Sequence, residues 1–131
     1  MADRVITAQW QGDFRVDVEA GQFPLRVDEP ERVGGSDTGP QPTDLLLAAV
    51  ASCMVLSVAY SARKRHLDVN RIEVTVGGNY EGLRFRSIEV VVATDADPEV
   101  IDVLMASAQR VCYVTNTLRE APEITVIHEA V

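Results

Sequence analysis

The chain has 131 residues, of which 47% are apolar and 24% charged, a composition typical of a folded domain rather than of a disordered polypeptide. The formal net charge of −8 argues against a nucleic-acid-binding surface, because binding to phosphates requires clustered lysine and arginine. We therefore expect one domain over residues 1–131 that does not bind nucleic acid.

The first residues, MADRVITAQWQGDF, lack the apolar segment of a secretory signal and carry charges at Asp3 and Arg4. We expect a cytoplasmic location for this reason.

The N-terminal part of the chain has the alternation of a β-meander. The three predicted strands are Val5–Gln11, Phe14–Glu19 and Phe23–Val27, separated by short Gly-containing turns. In the second strand, apolar residues alternate with charged ones, so one face should be buried and the other solvated. The stretch that follows, residues 29–42, contains three glycines and three prolines and is predicted to be a loop.

A long apolar helix is predicted over Thr43–His66. Its segment Leu45–Ala62 has eighteen residues without a charge and carries Cys53 near its centre. Asp44 suits the N-terminus of a helix and the basic residues 63–66 suit its C-terminus. A helix that is apolar on all sides must be enclosed by protein or by lipid. Eighteen residues are near the lower limit for a membrane span, and we favour enclosure by protein, with no membrane partner.

The second half of the chain begins with two alternating segments, Arg71–Asn79 and Leu83–Thr94, which should pair as a β-hairpin. Asp97, followed by Pro98 and Glu99, is typical of a helix start. Apolar residues at helical spacing then continue to Cys112.

A short helical turn at Thr115–Arg119 and a closing strand at Ile124–His128 complete the predicted elements. Strands, a long buried central helix, a hairpin, a second helix and a final strand together indicate an α+β domain.

The two cysteines, Cys53 and Cys112, are the residues that could carry chemistry. A structural disulfide is not expected in the cytoplasm. Two buried, unreactive cysteines would be the simplest interpretation, since free cysteine is among the most buried residue types. With His66 and His128 they show none of the close spacing of zinc ligands, so we predict no metal and no cofactor. Their positions, at the centre of one helix and the end of another, favour a redox role.

Two segments resemble the OsmC/Ohr family of osmotically induced and organic-hydroperoxide-resistance proteins, and in particular its OsmC-like branch. They are GGSDTGPQPTDLLLAAVASC, which ends at Cys53, and SAQRVCYVTNTL, which contains Cys112. The resemblance implies an intertwined homodimer with a thiol peroxidase site at the subunit interface, acting in the response to oxidative stress. It implies that Cys53 is the peroxidatic thiol and Cys112 the resolving one. The family commonly has Cys-Pro at the second position, whereas this chain has Tyr113 after Cys112.

The resemblance also implies an arginine, held by a carboxylate, that keeps the reactive thiol ionised. Arg15, Arg26 and Arg32 are the candidates, and we favour Arg15 in the second predicted strand. A surface-strand role for Arg15 remains an alternative.

The carboxylate has two candidate positions. The family glutamate stands ten residues before the cysteine, where this chain has Thr43, and the OsmC-like branch has an acid nine residues before it, where this chain has Asp44. Nine helical residues place Asp44 about 180° around the helix from Cys53. An acid at this position must therefore come from a second subunit or from an unwound first turn, unless Asp44 serves only the helix N-terminus.

These features favour a thiol-dependent peroxidase that reduces small apolar organic hydroperoxides and is restored by a dithiol reductant such as a lipoyl protein. The alternative function is a non-catalytic dimeric binding module that holds a small apolar ligand beside thiols that are merely buried.

Overall fold

The computed structural model describes residues 2–131 and has α+β architecture, as predicted. Contacts divide the chain into two compact units, one up to Leu46 and one from Leu47 to the end. That a single domain covers residues 1–131 stays a prediction. The elements are β1 (Ile6–Trp10), β2 (Val16–Ala20), β3 (Phe23–Val27), α1 (Pro42–Lys64), β4 (Ile72–Glu81), β5 (Arg84–Thr94), α2 (Ile101–Val111) and α3 (Tyr113–Arg119), with 3₁₀ turns at Glu31–Val33 and Pro98–Val100.

The N-terminal meander is confirmed, with β1, β2 and β3 pairing antiparallel in that order. The register aligns Trp10 with Val16 and Val16 with Val27, so one face of the sheet is apolar. The expectation that this face is buried is only partly met. Trp10 is 72% exposed and Phe23 64% exposed.

The loop after β3 is organised by a buried carboxylate. Asp28 is fully buried and accepts hydrogen bonds from the N–H groups of Glu29, Ser36 and Thr38, at 2.7, 3.3 and 3.1 Å, and from the Thr38 hydroxyl at 2.6 Å. The Thr38 hydroxyl is the largest influence and lowers the pKa of Asp28 to about 2, helped by the three N–H groups and opposed by burial. The ionised carboxylate therefore fixes the conformation of the loop that leads to α1.

The second unit has a core between α1, the β4–β5 hairpin and α2. Its buried members are Met54, Val58, Ala62, Ala96, Leu104, Ala108 and Cys112. The hairpin is antiparallel along its length, and its inward residues, among them Val74 and Val92, pack against this cluster. A buried hydrogen bond of 3.0 Å from Ser107 to Ser61 joins α2 to α1. The predicted hairpin and second helix are thus confirmed, and Asp97 caps the 3₁₀ turn Pro98–Val100 that leads into α2 by accepting from the Glu99 N–H at 3.0 Å.

The central helix is long, as predicted, but it is not enclosed on all sides. Val50, Met54 and Val58 lie on its buried face, whereas Leu56 is 68% exposed and Tyr60 54% exposed. A hairpin and one helix can cover only one face of another helix, so the opposite face stays open. The helix is also long and apolar enough to cross a membrane, with about a third of its apolar window buried, a property that core helices of soluble proteins share.

The predicted closing strand at Ile124–His128 is not formed. Residues 121–131 have no regular secondary structure, and Ile124, Val126 and Ile127 are each more than 80% exposed. A strand requires a hydrogen-bonded neighbour, and neither described sheet pairs with this segment. The alternation of apolar residues was therefore not sufficient evidence for a strand.

Replacing Asp28 with asparagine should destabilise the first unit, because an amide cannot accept all four hydrogen bonds as a carboxylate does. The pKa of Asp28 is lower in the folded chain, about 2, than its ordinary 3.8. Its stabilising contribution is therefore present above the ordinary value and lost as the pH falls toward the folded value. We expect a lower midpoint of thermal unfolding for D28N at neutral pH. Between about pH 5 and about pH 2 this midpoint should fall less in D28N than in the wild type.

Circular dichroism melts at several pH values measure this difference. The matched control is D17N, because Asp17 is half exposed and pairs only with Arg26. An acid dependence in D28N equal to that of the wild type would contradict the assignment of Asp28 as the loop's anchor.

Replacing Leu104 with alanine should lower the free energy of unfolding by about 2–5 kcal/mol, because it removes a fully buried side chain and leaves a cavity in the core that holds Cys112. The neighbouring Val103 is 52% exposed, so V103A is the control and should cost much less. Denaturant unfolding at a fixed protein concentration measures the free energy of unfolding of both variants. An equal decrease in L104A and V103A would contradict the described core.

Candidate functional site

Cys53 lies in the middle of α1, is partly buried, and packs against the core cluster that contains Cys112. The next turn of the helix brings Ser57 beside it, and the Ser57 hydroxyl donates to the Cys53 carbonyl oxygen at 2.7 Å. Ser52 differs from Ser57, since it is exposed and donates to the Ala48 carbonyl at 2.8 Å. The buried face of α1 therefore carries a hydroxyl one turn after Cys53, at Ser57, as well as the one at Ser61.

Cys112 lies between α2 and α3 and is fully buried. Its backbone is extended, with φ −81° and ψ 101°, which ends α2 and lets α3 start in a new direction. Its carbonyl oxygen accepts from the Asn116 N–H at 3.0 Å and, at 3.4 Å, from the Thr115 hydroxyl. The turn between the helices thus fixes the Cys112 thiol in the core.

Burial and nearby polar groups act in opposite directions on the pKa of Cys112. Burial is the largest influence and raises the pKa of Cys112, but hydrogen bonding with the Thr115 hydroxyl and N–H, the Cys53 thiol and the Ser57 hydroxyl outweighs it, and the net pKa is lowered. Cys53 packs against the core cluster that contains Cys112, and both residues are free thiols.

The three candidate arginines all belong to the first compact unit, whereas both cysteines belong to the second. Arg15 Nη1 lies 3.4 Å from Asp13 Oδ2, and Arg26 Nε lies 2.7 Å from Asp17 Oδ1. Arg32 lies in the 3₁₀ turn after β3. The predicted role of Arg15 at a thiolate, and the choice among the three, stay predictions.

Asp44 lies in the first turn of α1 and is exposed, and the Gln41 side-chain amide donates to its carboxylate at 3.4 Å. Thr43 precedes it in the same turn. The helix is regular from Pro42, so the alternative of an unwound first turn is not formed. A shared site for Asp44 and Cys53 would then need a second subunit.

The sequence analysis missed two polar residues beside the thiols, Ser57 and Thr115. Both are buried, at 6% and 8% exposure. The signal was available, because Ser57 follows Cys53 by one helical turn and Thr115 occupies the first turn after Cys112.

His66 and His128 are exposed, and within residues 2–131 no three or more His, Cys, Asp and Glu side chains are grouped to hold an ion.

Comparisons with known proteins bear on this pair of thiols. The family model described as OsmC-like protein matches residues 34–127. An uncharacterized protein of Haloferax volcanii is 23% identical over 99% of each chain. Among solved structures, the OsmC-like protein from Mycoplasma pneumoniae has a TM-score of 0.79 at 19% identity and covers 92% of this chain and 89% of its own.

A second solved structure, an organic hydroperoxide resistance protein OsmC from Legionella pneumophila, has a TM-score of 0.64 at 20% identity and covers 92% of this chain and 91% of its own. At such identities the structural matches establish the fold, which is OsmC-like. The family model covers the loop, α1 with Cys53, the hairpin and the helices around Cys112. The chain therefore belongs to the OsmC family.

Proposed function

We propose that this protein is a thiol-dependent peroxidase that reduces organic hydroperoxides by a two-cysteine cycle. Cys53 is the peroxidatic thiol and Cys112 the resolving thiol. The observation that carries the proposal is that Cys53, partly buried on α1, packs against the core cluster that contains the fully buried Cys112 at the α2–α3 junction.

The difference in burial supports this division of roles. A hydroperoxide must reach the sulfur that it oxidises, and Cys53 is the more exposed of the two. The Cys53 thiolate attacks the outer oxygen of the hydroperoxide, the O–O bond breaks, and the alkoxide leaves as an alcohol after it takes up a proton. Cys53 is then a sulfenic acid.

Cys112 completes the cycle from its buried position. Its sulfur attacks the sulfenic sulfur of Cys53, an S–S bond forms, the S–O bond breaks, and hydroxide leaves with a proton as water. An external dithiol reduces the disulfide by thiol–disulfide exchange and becomes a cyclic disulfide itself. A lipoyl protein is a reductant of this chemical class.

Apolar surroundings favour an organic substrate over hydrogen peroxide. Leu56 follows Cys53 by one turn of α1 and is largely exposed, and Tyr60 continues the same exposed apolar face. An alkyl or aryl hydroperoxide would bury part of this surface as it approaches Cys53. The similar protein from Legionella pneumophila is an organic hydroperoxide resistance protein, which is consistent with such a substrate.

The exposed apolar surfaces also support an intertwined homodimer. In one unit Trp10 and Phe23 are mostly exposed, and in the other Leu56 and Tyr60 are. A second copy of the chain would remove these side chains from water, which is favourable in proportion to the apolar area covered. The arginine and the Asp44 carboxylate would then reach Cys53 across the interface. We further propose that the protein works in the cytoplasm, where its thiols stay reduced.

Cysteine variants test the cycle directly. When the reduced protein is treated with cumene hydroperoxide, intact-mass spectrometry should show a Cys53–Cys112 disulfide in the wild type. C112S should stop at an oxygen adduct on Cys53, and C53S should lose at least about a hundredfold in peroxide consumption, because the nucleophile is gone. S52A is the control, because Ser52 is next to Cys53 but exposed, and it should behave as the wild type.

A wild-type protein that forms neither the disulfide nor an oxygen adduct would contradict the peroxidase. Slow labelling of both cysteines by iodoacetamide, together with a co-purified apolar molecule, would instead favour the binding module.

The dimer has its own measurement. Sedimentation of the wild type should give a mass of twice 14.3 kDa, and L56E should shift the equilibrium toward the monomer, because it places a charge on the exposed apolar face of α1. A monomer at all concentrations that are accessible to the measurement would contradict the dimer.

A further inference from the structure

We propose that Arg63 and Lys64, at the end of α1, bind the carboxylate of an organic hydroperoxide that carries this group at the far end of its alkyl chain. The inference rests on the proposed function and deepens it, because it names a subclass of substrate and the residues that select it. The hydroperoxide group lies at Cys53, and the alkyl chain runs along the exposed face of α1 toward the two cations.

One strip of residues along α1 connects Cys53 with the basic end of the helix. Three residues share the side of the helix on which the cysteine lies, namely Leu56, Tyr60 and Lys64. They follow it by three, seven and eleven positions, so at 100° per residue all three lie within about 60° of it around the helix axis. Leu56 and Tyr60 are mostly exposed, and Lys64 is exposed. The strip therefore starts at a thiol, continues over apolar side chains and ends at a cation.

The core closes the other side of the helix. Met54, Val58 and Ala62 belong to the cluster of buried residues, and Cys53 packs against that cluster while remaining partly exposed. A molecule that reaches the Cys53 sulfur without opening the core must therefore approach over the exposed strip.

The cations at the end of the strip are available to a ligand. Arg63 and Lys64 occupy the last turn of α1, and both are exposed. In the described part of the chain neither of them forms an ion pair, whereas Arg15 and Arg26 each pair with an aspartate. Two unpaired positive charges thus lie side by side where the apolar strip ends.

A carboxylate on an alkyl chain fits both parts of this surface. The helix dipole favours basic residues at a helix C-terminus, and their two full charges outweigh the roughly half negative charge of that end. The dipole does not explain the apolar strip that leads from them to a thiol. An alkyl chain would cover the strip, which is favourable in proportion to the apolar area removed from water. The formal net charge of −8 repels an anion from the molecule as a whole, so the attraction is local to this end.

The length of the strip sets the length of the chain. From position 53 to position 64 the helix rises about 16 Å, roughly the length of an extended chain of a dozen carbons. A hydroperoxide with its carboxylate at that distance from the peroxide group can contact both ends of the strip. Cumene hydroperoxide has no carboxylate and contacts the thiol end alone.

The experiment compares a charged substrate with its neutral counterpart. The 13-hydroperoxide of linoleic acid and its methyl ester are each mixed with reduced wild type, R63Q, K64Q, the double variant and the control R65Q. Intact-mass spectrometry gives the rate constant for oxidation of the protein. The acid-to-ester ratio of these rate constants should exceed one in the wild type. It should fall about threefold to tenfold in the double variant, because each exposed ion pair contributes modestly. A loss of folded protein would affect both substrates equally and leave the ratio unchanged.

Arg65 is the matched control for the two cations. It is exposed, and its N–H donates to the Ser61 carbonyl, so it continues the turn of α1. It lies about 120° around the helix axis from Cys53, away from the strip. In R65Q the acid-to-ester ratio should stay within about twofold of the wild-type value. An equal fall in R65Q would overturn the proposal, because it would show an effect of net charge alone. So would a wild-type ratio in the double variant.

A second measurement does not depend on peroxidase activity. Titration calorimetry with laurate, below its critical micelle concentration, should give a dissociation constant that rises about threefold to tenfold in the double variant and with added salt, but not in R65Q. Absence of laurate binding, or an equal dissociation constant in the wild type and the double variant, would overturn the carboxylate site.

The two measurements separate this inference from the proposed function. If neither hydroperoxide oxidises wild-type Cys53 while laurate binding depends on Arg63 and Lys64, the peroxidase fails and the carboxylate site stands. If both hydroperoxides oxidise Cys53 with a ratio that the double variant leaves unchanged, the peroxidase stands and the carboxylate site fails.

Discussion

The packing of Cys53 against the core cluster that contains Cys112, inside the second unit, is the constraint on which the rest of the site depends. Cys53 comes from the centre of α1 and Cys112 from a single extended residue between two helices, so three helices must pack correctly before the thiols can meet. Buried leucine, valine and alanine side chains provide that packing, and the Ser107–Ser61 hydrogen bond links α2 to α1. The site is therefore a property of the core and not of a surface loop. Its geometry should be as rigid as the packing around it.

Much of the fold could be predicted from local patterns. Asp44 near the start of α1 and the basic residues at its end predicted a helix over Thr43–His66, within two residues of the observed ends, because the helix dipole acts locally. The alternation of apolar and polar residues predicted the meander and the hairpin, because it too is a local property of the sequence. The segment around Ile124 has equal alternation but no strand, because pairing depends on a neighbour that the segment itself does not encode.

The candidate site was predictable only in part. The two cysteines were identified from their positions on the predicted helices, and the structure packs Cys53 against the core that contains Cys112. Their separate roles came from the family resemblance and stay predictions. Ser57 and Thr115 were not found, although their spacing from the cysteines is visible in the sequence, because a single sequence does not show which side of each helix is buried. The complete enclosure expected for α1 was wrong for a related reason. Apolar composition shows that a face needs cover, yet it does not say whether the same chain supplies it.

The loop anchored by Asp28 also has a consequence for sequence variation. Glu29 and Ser36 contribute only their main-chain N–H groups to the carboxylate, whereas Thr38 contributes its side chain as well. Almost any side chain can therefore occupy positions 29 and 36, except proline, which has no N–H to donate. The side chains at positions 29 and 36 can therefore vary widely, provided that the acid at position 28 and the hydroxyl at position 38 are kept. The backbone that leads to α1 then retains its conformation while the exposed side chains of the loop change.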